Sequence, residues 1–147
     1  MQNIPPRPRA DKAMILAACT EVAAKLDGAD AATIAQHYRR HMDGYELAKE
    51  LDKYAYWDTT RDDMETLDEV DYLVDKAEKA AIKEWAATYD PQPPFTIGTR
   101  IEQGVITGIA DDYSPATYLV KENGCTNDSR SLLIKFENAK LAPINPA

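Results

Sequence analysis

The spacing of apolar residues changes at "DPQPPF", residues 90–95, and no other feature limits the possible folds as strongly. Before this segment, apolar residues recur at every third or fourth position, which is the period of an amphipathic helix. After it they alternate with polar residues, which is the period of a strand. Three prolines in residues 90–94 end the helix and form a stiff linker. The sequence therefore predicts an α+β fold with two successive parts.

The first part, residues 11–89, is predicted to be a bundle of three or four helices. Asp11 and Asp30 each precede a helical stretch as N-caps, and Gly28 marks the end of the first helix. The predicted helices cover residues 11–27, 31–42, 45–57 and a long stretch from Asp58 or Thr60 to about Tyr89. Residues 1–10, with the basic "IPPRPR", are predicted to be an extended arm. Such an arm lies along its own domain, is mobile, or serves as a ligand for an SH3-type groove.

The second part, residues 95–147, is predicted to be a small antiparallel β-barrel. Its alternating apolar residues are Tyr118 and Val120 in one strand, and Leu132, Ile134 and Phe136 in the last. In "IGTRIEQGVITGIADD" glycines stand at the hairpin corners, each near an aliphatic residue. This spacing resembles the opening hairpin of SH3-like small barrels of the KOW and Tudor kind. The resemblance covers residues 95–143 and implies a five-strand module that binds rather than catalyses. The aromatic cage of some relatives is not evident, because Tyr113 and Tyr118 are the only tyrosines in this stretch.

The composition favours a folded chain that stays in the cytoplasm. A length of 147 residues with 44% hydrophobic content is enough to bury a core. No apolar run is long enough for a membrane span, and the first residues lack the apolar segment of a secretory signal. We therefore expect a cytoplasmic protein without a membrane partner. Cys19 falls in a helical stretch and Cys125 in a polar loop, so they indicate neither a disulfide framework nor a four-cysteine zinc site.

The net charge of −8 is concentrated in the middle of the chain. Residues 1–42 carry six cations against four anions, residues 43–90 carry six against fifteen, and residues 91–147 carry five against six. Within the middle third, residues 58–75 hold eight carboxylates and one cation. The β part is nearly balanced, so it lacks the basic surface that nucleic acids require. We therefore expect no direct binding of nucleic acid.

No metal-binding or catalytic motif in the chain is complete. His37 and His41 are four residues apart, which on a helix places them on one face, as two zinc ligands need. A third ligand is missing, and Tyr38 stands where a zincin has its glutamate. The acidic run lacks the glycine-containing loop of an EF-hand, and Cys125 lies in a turn without an activating helix terminus. We therefore predict a protein that is not an enzyme and has no metal or cofactor.

The acidic residues are predicted to form a partner-binding face with neighbouring aromatic residues. The predicted site comprises Asp58, Asp62, Asp63, Glu65, Asp68, Glu69, Asp71 and Asp75, with Tyr54, Trp57 and Tyr72. Many of these carboxylates are three or four residues apart, and each like-charged pair costs roughly 0.2–0.5 kcal/mol in a helix. One interpretation is a solvated face whose first turn interacts favourably with the helix dipole. The other is a surface for a basic partner, since carboxylates along a rod resemble a phosphate backbone and Tyr and Trp are common at interface hot spots.

Both interpretations treat the carboxylates as exposed groups that repel one another. Replacing Asp68, Glu69, Asp71 and Asp75 with amides is therefore expected to leave the helix unchanged or slightly more stable.

These features predict a non-enzymatic accessory protein whose acidic face binds a basic, nucleic-acid-binding partner. A small acidic chain without catalytic motifs looks like the proteins with which phages and mobile elements block host restriction or CRISPR systems. One alternative is a nucleic-acid-binding SH3-like module that uses the cations of the β part, Arg100, Lys121, Arg130 and Lys135. Another is a structural subunit of a phage particle whose proline-rich arm reaches a neighbour.

Overall fold

In the computed structural model, the described residues are 4–110, 114–124 and 131–143. They form five α-helices followed by a four-stranded antiparallel sheet, which confirms the predicted α+β class. The helices are α1 (Lys12–Ala23), α2 (Ala31–His37), α3 (Gly44–Tyr54), α4 (Arg61–Leu67) and α5 (Glu69–Tyr89). The strands are β1 (Arg100–Ile101), β2 (Gly104–Ile109), β3 (Thr117–Glu122) and β4 (Leu132–Lys135), followed by a 3₁₀ turn, Phe136–Asn138. Three residues named above lie outside the described residues: Tyr113, Cys125 and Arg130.

Polar side chains fix where the helices begin. Asp11 and Asp30 each accept a hydrogen bond from a backbone N–H group in the first turn of α1 and α2, as predicted. Thr60 starts α4 through a capping box. The predicted long helix is interrupted at Asp68, which separates α4 from α5, and α5 ends at Tyr89 as predicted.

The chain divides into two compact units, Pro6–Ile82 and a second unit that combines the residues up to Pro5 with those from Lys83 onward. The core of the first, here called the helical unit, takes apolar side chains from all five helices. Its fully buried members are Cys19, Val22, Ile34, Leu47, Ala48, Leu51, Leu67, Val70 and Val74. α2 and α4 have seven residues each and would not be stable alone, so packing in this core maintains them. Burial also raises the pKa of the Cys19 thiol to about 11, which keeps it protonated near neutral pH.

α1 and α2 both end earlier than the apolar spacing predicts. In α2 the helix stops at His37, because Tyr38 has an extended backbone with φ −77° and ψ 137°. Tyr38 and Met42 are nevertheless buried with Ile34. The spacing therefore identified residues of the core, although the last of them do not belong to the helix.

The predicted strands form an open sheet rather than a closed barrel. The strand order is β1-β2-β3-β4, with antiparallel pairing throughout. Among the described residues, β1 does not pair with β4, and the chain returns to β1 after the 3₁₀ turn at a single bridge between Ile101 and Leu141. β1 has only two residues, and so short an edge cannot carry the continuous ladder that closes a barrel. The closed SH3-like barrel predicted for residues 95–147 is therefore not observed.

Tyr118 organises the interior of the second unit. Its side chain is fully buried and packs against Phe136 with ring centroids 4.6 Å apart. The Tyr118 hydroxyl accepts a hydrogen bond from the Phe95 N–H group at 2.7 Å and lies 3.1 Å from the Phe95 carbonyl oxygen, to which it donates. This tyrosine therefore fixes the end of the proline-rich linker and is inaccessible to a ligand.

Candidate protein-interaction surface

α5 holds the connection between α2 and α3, residues 38–43, through its carboxylates. The Asp71 carboxylate accepts a hydrogen bond from the Tyr38 hydroxyl and another, at 2.8 Å, from the His41 N–H group. Arg40 donates a third at 3.4 Å. Burial, together with the hydrogen bond to Asp71, raises the pKa of Tyr38 to about 12, so its hydroxyl keeps its proton near neutral pH. One carboxylate therefore satisfies three donors of a non-helical segment.

Arg40 lies among three carboxylates of α5. Its guanidinium nitrogens are 3.4 Å from Asp71, 3.5 Å from Asp75 and 3.1 Å from Glu78. The Arg40 side chain is only 25% exposed, so salt screens these pairs less than it screens pairs on an open surface. A hydrogen bond from Lys79, with a smaller contribution from Arg40, lowers the pKa of Asp75. The charge of Asp75 is thus stabilised within the protein itself.

Asp68 extends the same face of carboxylates toward α3. Its carboxylate accepts a hydrogen bond from the Gly44 N–H group at 2.8 Å. Gly44 packs so closely on α4 that a Cβ atom at this position would lie 2.0 Å from the Met64 carbonyl oxygen. Residues three or four apart share one face of a helix. We call the four carboxylates on this face the anchoring face: Asp68, Asp71, Asp75 and Glu78.

Two further acidic residues of the predicted site have partners in the helical unit. Asp63 accepts a hydrogen bond from the Thr60 N–H group at 2.9 Å and completes the capping box of α4. Glu69 pairs with Lys25 at 3.1 Å. These carboxylates serve helix capping and an ion pair, which are structural roles.

The acidic residues that remain available lie at the start of α4 and just before it. Glu65 is 3.9 Å from Arg61, but both side chains are largely exposed, at 71% and 92%, so the pair is weak. The side-chain carboxylates of Asp58 and Asp62 form no hydrogen bond or ion pair with any residue that the structure describes. The predicted acidic face is therefore divided between internal contacts along α5 and free charge near the start of α4.

The α3–α4 loop, residues 55–60, is held at both ends by hydrogen bonds. The backbone N–H group of Trp57 donates a hydrogen bond to the Leu51 carbonyl of α3 at 3.2 Å. The Asp52 carboxylate accepts hydrogen bonds from the Thr59 N–H group at 3.0 Å and from the Thr59 hydroxyl at 2.8 Å. Trp57 also packs partly buried against the helical core. The loop is therefore a fixed element of the surface.

Tyr56 projects from this loop in a conformation that its residue type disfavours. Its φ is 60°, in the left-handed region, and its side chain is 90% exposed. The left-handed conformation costs a non-glycine residue roughly 1–2 kcal/mol. Because the side chain is almost fully exposed, its burial does not offset this cost, and the hydrogen bonds of the loop must maintain the conformation. Strain of this kind is concentrated at functional sites in proteins.

Other tyrosines are exposed on the same unit. Tyr54 is exposed, and its ring stacks on His37 with centroids 6.1 Å apart. Tyr72 is exposed on α5. Tyr45, at the start of α3, is also exposed and was not part of the predicted site. The spacing of apolar residues could not show that Tyr45 is exposed, since tyrosine occurs both in cores and on surfaces.

The structure gives the two histidines no shared helical face. His37 ends α2, and His41 lies beyond the helix with φ 70°. The expectation that they share one face is wrong, because α2 stops before His41. Across residues 4–110, 114–124 and 131–143, no group of three or more His, Cys, Asp or Glu side chains is arranged to hold a metal ion.

The proline-rich arm contacts its own chain at two points. Within the second unit, the Trp85 indole N–H donates to the Pro5 carbonyl at 2.8 Å. Within the helical unit, the Ala10 N–H group donates to Glu78 at 2.8 Å. The described part of the arm is thus hydrogen-bonded to its own chain, in agreement with the first of the alternatives above.

Comparisons with protein-family models, with curated proteins and with solved structures each give no match. In the part of the chain that the structure covers, every helix is too short or too polar to cross a membrane. The candidate surface is therefore defined by its own geometry: the α3–α4 loop with the exposed Tyr56, and the free carboxylates beside it.

Proposed function

We propose that the protein is a non-enzymatic binding protein whose α3–α4 loop contacts a protein partner with a basic surface. The observation that carries this proposal is Tyr56, which is 90% exposed in a left-handed conformation on a loop that hydrogen bonds hold in place. Asp58 and Asp62, whose carboxylates have no partner in the described residues, lie within six residues of it.

An exposed aromatic ring on a fixed loop suits the centre of an interface. Tyrosine is enriched at hot spots because it buries a large area and carries a hydroxyl. A loop that is already ordered loses little conformational entropy when it binds. The free carboxylates of Asp58 and Asp62 add attraction for a cationic partner, which raises the association rate and the specificity.

The proposed interface includes only part of the acidic face predicted from the sequence, namely the carboxylates near the α3–α4 loop. The anchoring face has internal donors, so it supports the fold of the helical unit. Tyr54, Trp57 and Tyr72 remain candidates for the rim of the interface. Inhibition of a nucleic-acid-binding host-defence protein by a phage or mobile element stays a prediction, which the net charge of −8 supports.

Photo-cross-linking locates the partner. A photoreactive phenylalanine placed at Tyr56 in the full chain is expected to capture one protein with a basic surface from the native cell. The same probe placed at Tyr89, an exposed tyrosine of the second unit, should not capture it. Equal capture from both positions would contradict the proposed location.

Calorimetry with the purified partner then measures the contribution of each group. Tyr56→Ala is expected to weaken binding by about 30-fold or more, which corresponds to a hot spot of about 2 kcal/mol. Asp58→Asn with Asp62→Asn should lower the affinity at low salt and flatten its salt dependence, since screening acts over about 8–10 Å near physiological salt. Tyr89→Ala is the matched control and should bind normally. Unchanged affinity of the Tyr56 variant would overturn the proposal.

A further inference from the structure

A small cavity lies beside the α3–α4 loop, within the helical unit. It has a volume of about 280 Å³, just below the range of about 300–1,000 Å³ that is typical of ligand sites. Its walls come from the segment that follows α1, from the α3–α4 loop and from the first turn of α4. The lining residues are Leu26, Asp27, Gly28, Ala29, Trp57, Asp58, Thr59 and Asp63. A cavity of this size takes one side chain or a small organic ion.

The lining combines an aromatic residue with negative charge. Trp57 and Leu26 provide apolar surface, and both are partly buried against the helical core. Three of the lining residues carry carboxylates. No lysine, arginine or histidine is among the lining residues. Asp27 and Asp58 form no hydrogen bond or ion pair within the part of the chain that the structure describes. The cavity therefore has an excess of negative charge that the protein itself does not neutralise.

The arrangement fits an extended organic cation better than a metal ion. Among the described residues, no three acidic, histidine or cysteine side chains converge closely enough to hold a metal, so these carboxylates stand apart around the cavity. A guanidinium group suits separated acceptors, because it is planar and directs five N–H donors outward. It also stacks on the face of an indole, which is the strongest aromatic partner for a cation. A lysine ammonium is a compact charge and matches this lining less well.

We infer that the cavity lined by Leu26–Ala29, Trp57–Thr59 and Asp63 binds an arginine side chain of the partner. The inference rests on the proposed function, because it assigns the neighbourhood of Tyr56 a specific pocket. Trp57 provides the stacking surface, and Asp58 and Asp27 accept hydrogen bonds from the guanidinium. Asp63 contributes charge while it continues to cap α4.

The test is a nuclear magnetic resonance titration of the full chain with N-acetyl-arginine methylamide. The protein has two tryptophans, so two indole N–H signals report on the two units, and Trp57→Phe assigns them. We expect the Trp57 signal to shift in a saturable manner with a dissociation constant in the millimolar range, as a ligand of this size allows. The Trp85 signal should stay in place. N-acetyl-citrulline methylamide, which has the same shape without charge, should cause no saturable shift.

Matched variants separate the pocket from general attraction by an acidic protein. Asp58→Asn is expected to weaken binding of the arginine probe by about fivefold, the effect of one carboxylate within about 4 Å in water. Glu65→Gln also removes one negative charge, but from a residue of α4 that does not line the cavity. This variant should bind the probe normally. Equal losses in the two variants, an unshifted Trp57 signal, or an equal response to citrulline would overturn the inference. Tighter binding of N-acetyl-lysine methylamide would overturn the assignment to a guanidinium.

These outcomes are distinguishable from failure of the proposed function. The titration uses a small molecule and does not depend on the partner. If the pocket fails this test while Tyr56→Ala still weakens partner binding, the surface stands and the pocket assignment is wrong. If the arginine probe binds while the Tyr56 variant binds its partner normally, the pocket stands and the proposed centre of the interface is wrong.

Discussion

Replacing Gly44 with alanine is expected to destabilise the helical unit by about 3 kcal/mol or more. Gly44 is the first residue of α3, and a Cβ atom there would lie 2.0 Å from the Met64 carbonyl oxygen and 2.7 Å from the Asp68 nitrogen. Both contacts involve backbone atoms, so a helix must shift to relieve them, and overpacking of this kind typically costs about 1–3 kcal/mol or more. Helix propensity alone would predict a gain of up to about 1 kcal/mol for this substitution. A loss of stability in Gly44→Ala would therefore indicate the close approach of α3 and α4, whereas a gain would indicate helix propensity alone.

Urea unfolding of the full chain, followed by circular dichroism at 222 nm, measures this effect. Gly28→Ala is the control, because a Cβ atom at Gly28 would have no neighbour within 4 Å and only its φ of 69° disfavours alanine. That control should lose about 1–2 kcal/mol. Equal or greater stability of Gly44→Ala relative to wild type would show that the close contact with α4 does not exist in solution.

Replacing Asp71 with alanine is expected to cost about 2–4 kcal/mol. The change removes the acceptor for the Tyr38 hydroxyl, the His41 N–H group and one contact of Arg40. A hydrogen bond to a charged group contributes about 1.5–3 kcal/mol, and a buried donor left without a partner adds its own penalty. Asp62→Ala removes a carboxylate that has no described partner and should change stability by no more than about 0.5 kcal/mol.

The same contacts reverse the sign expected for the fourfold amide variant of Asp68, Glu69, Asp71 and Asp75. Relief of repulsion contributes roughly 0.2–0.5 kcal/mol for each pair of like charges. An amide oxygen can still accept the hydrogen bonds from Gly44, His41 and Arg40, but without the negative charge each is weaker by about 1 kcal/mol, which exceeds the repulsion relieved for one pair. We therefore expect the variant to be less stable than the wild type in the same unfolding experiment. A variant as stable as the wild type would contradict the structural role of the anchoring face.

The carboxylates of the acidic segment have two roles: some accept hydrogen bonds within the fold, and others carry charge without an internal partner. From sequence spacing alone, a row of like charges on one helix face suggests either a face exposed to water or a binding site for a cationic partner. In the folded unit, Arg40 and the backbone N–H groups of the α2–α3 connection provide the partners instead. The charge left for an external partner lies near the α3–α4 loop, beside Tyr56.

The sequence alone determined the features that depend on local chemistry. Asp11 and Asp30 begin α1 and α2 because their side chains accept N–H groups only two or three residues away. The end of α5 at Tyr89 follows from the prolines just beyond it. The change of apolar period identified the helical and β parts, since side-chain burial alternates with the geometry of each element.

Only the tertiary structure decided the features that depend on residues distant in the chain. α2 ends at His37 although the apolar spacing continues to Met42, because Asp71, about thirty residues later, satisfies the donors of the α2–α3 connection. The sheet stays open because the short strand β1 meets the end of the chain at one bridge. Whether a carboxylate is free or paired depends on which donors the fold brings within about 3 Å, and spacing along one helix contains no information about them.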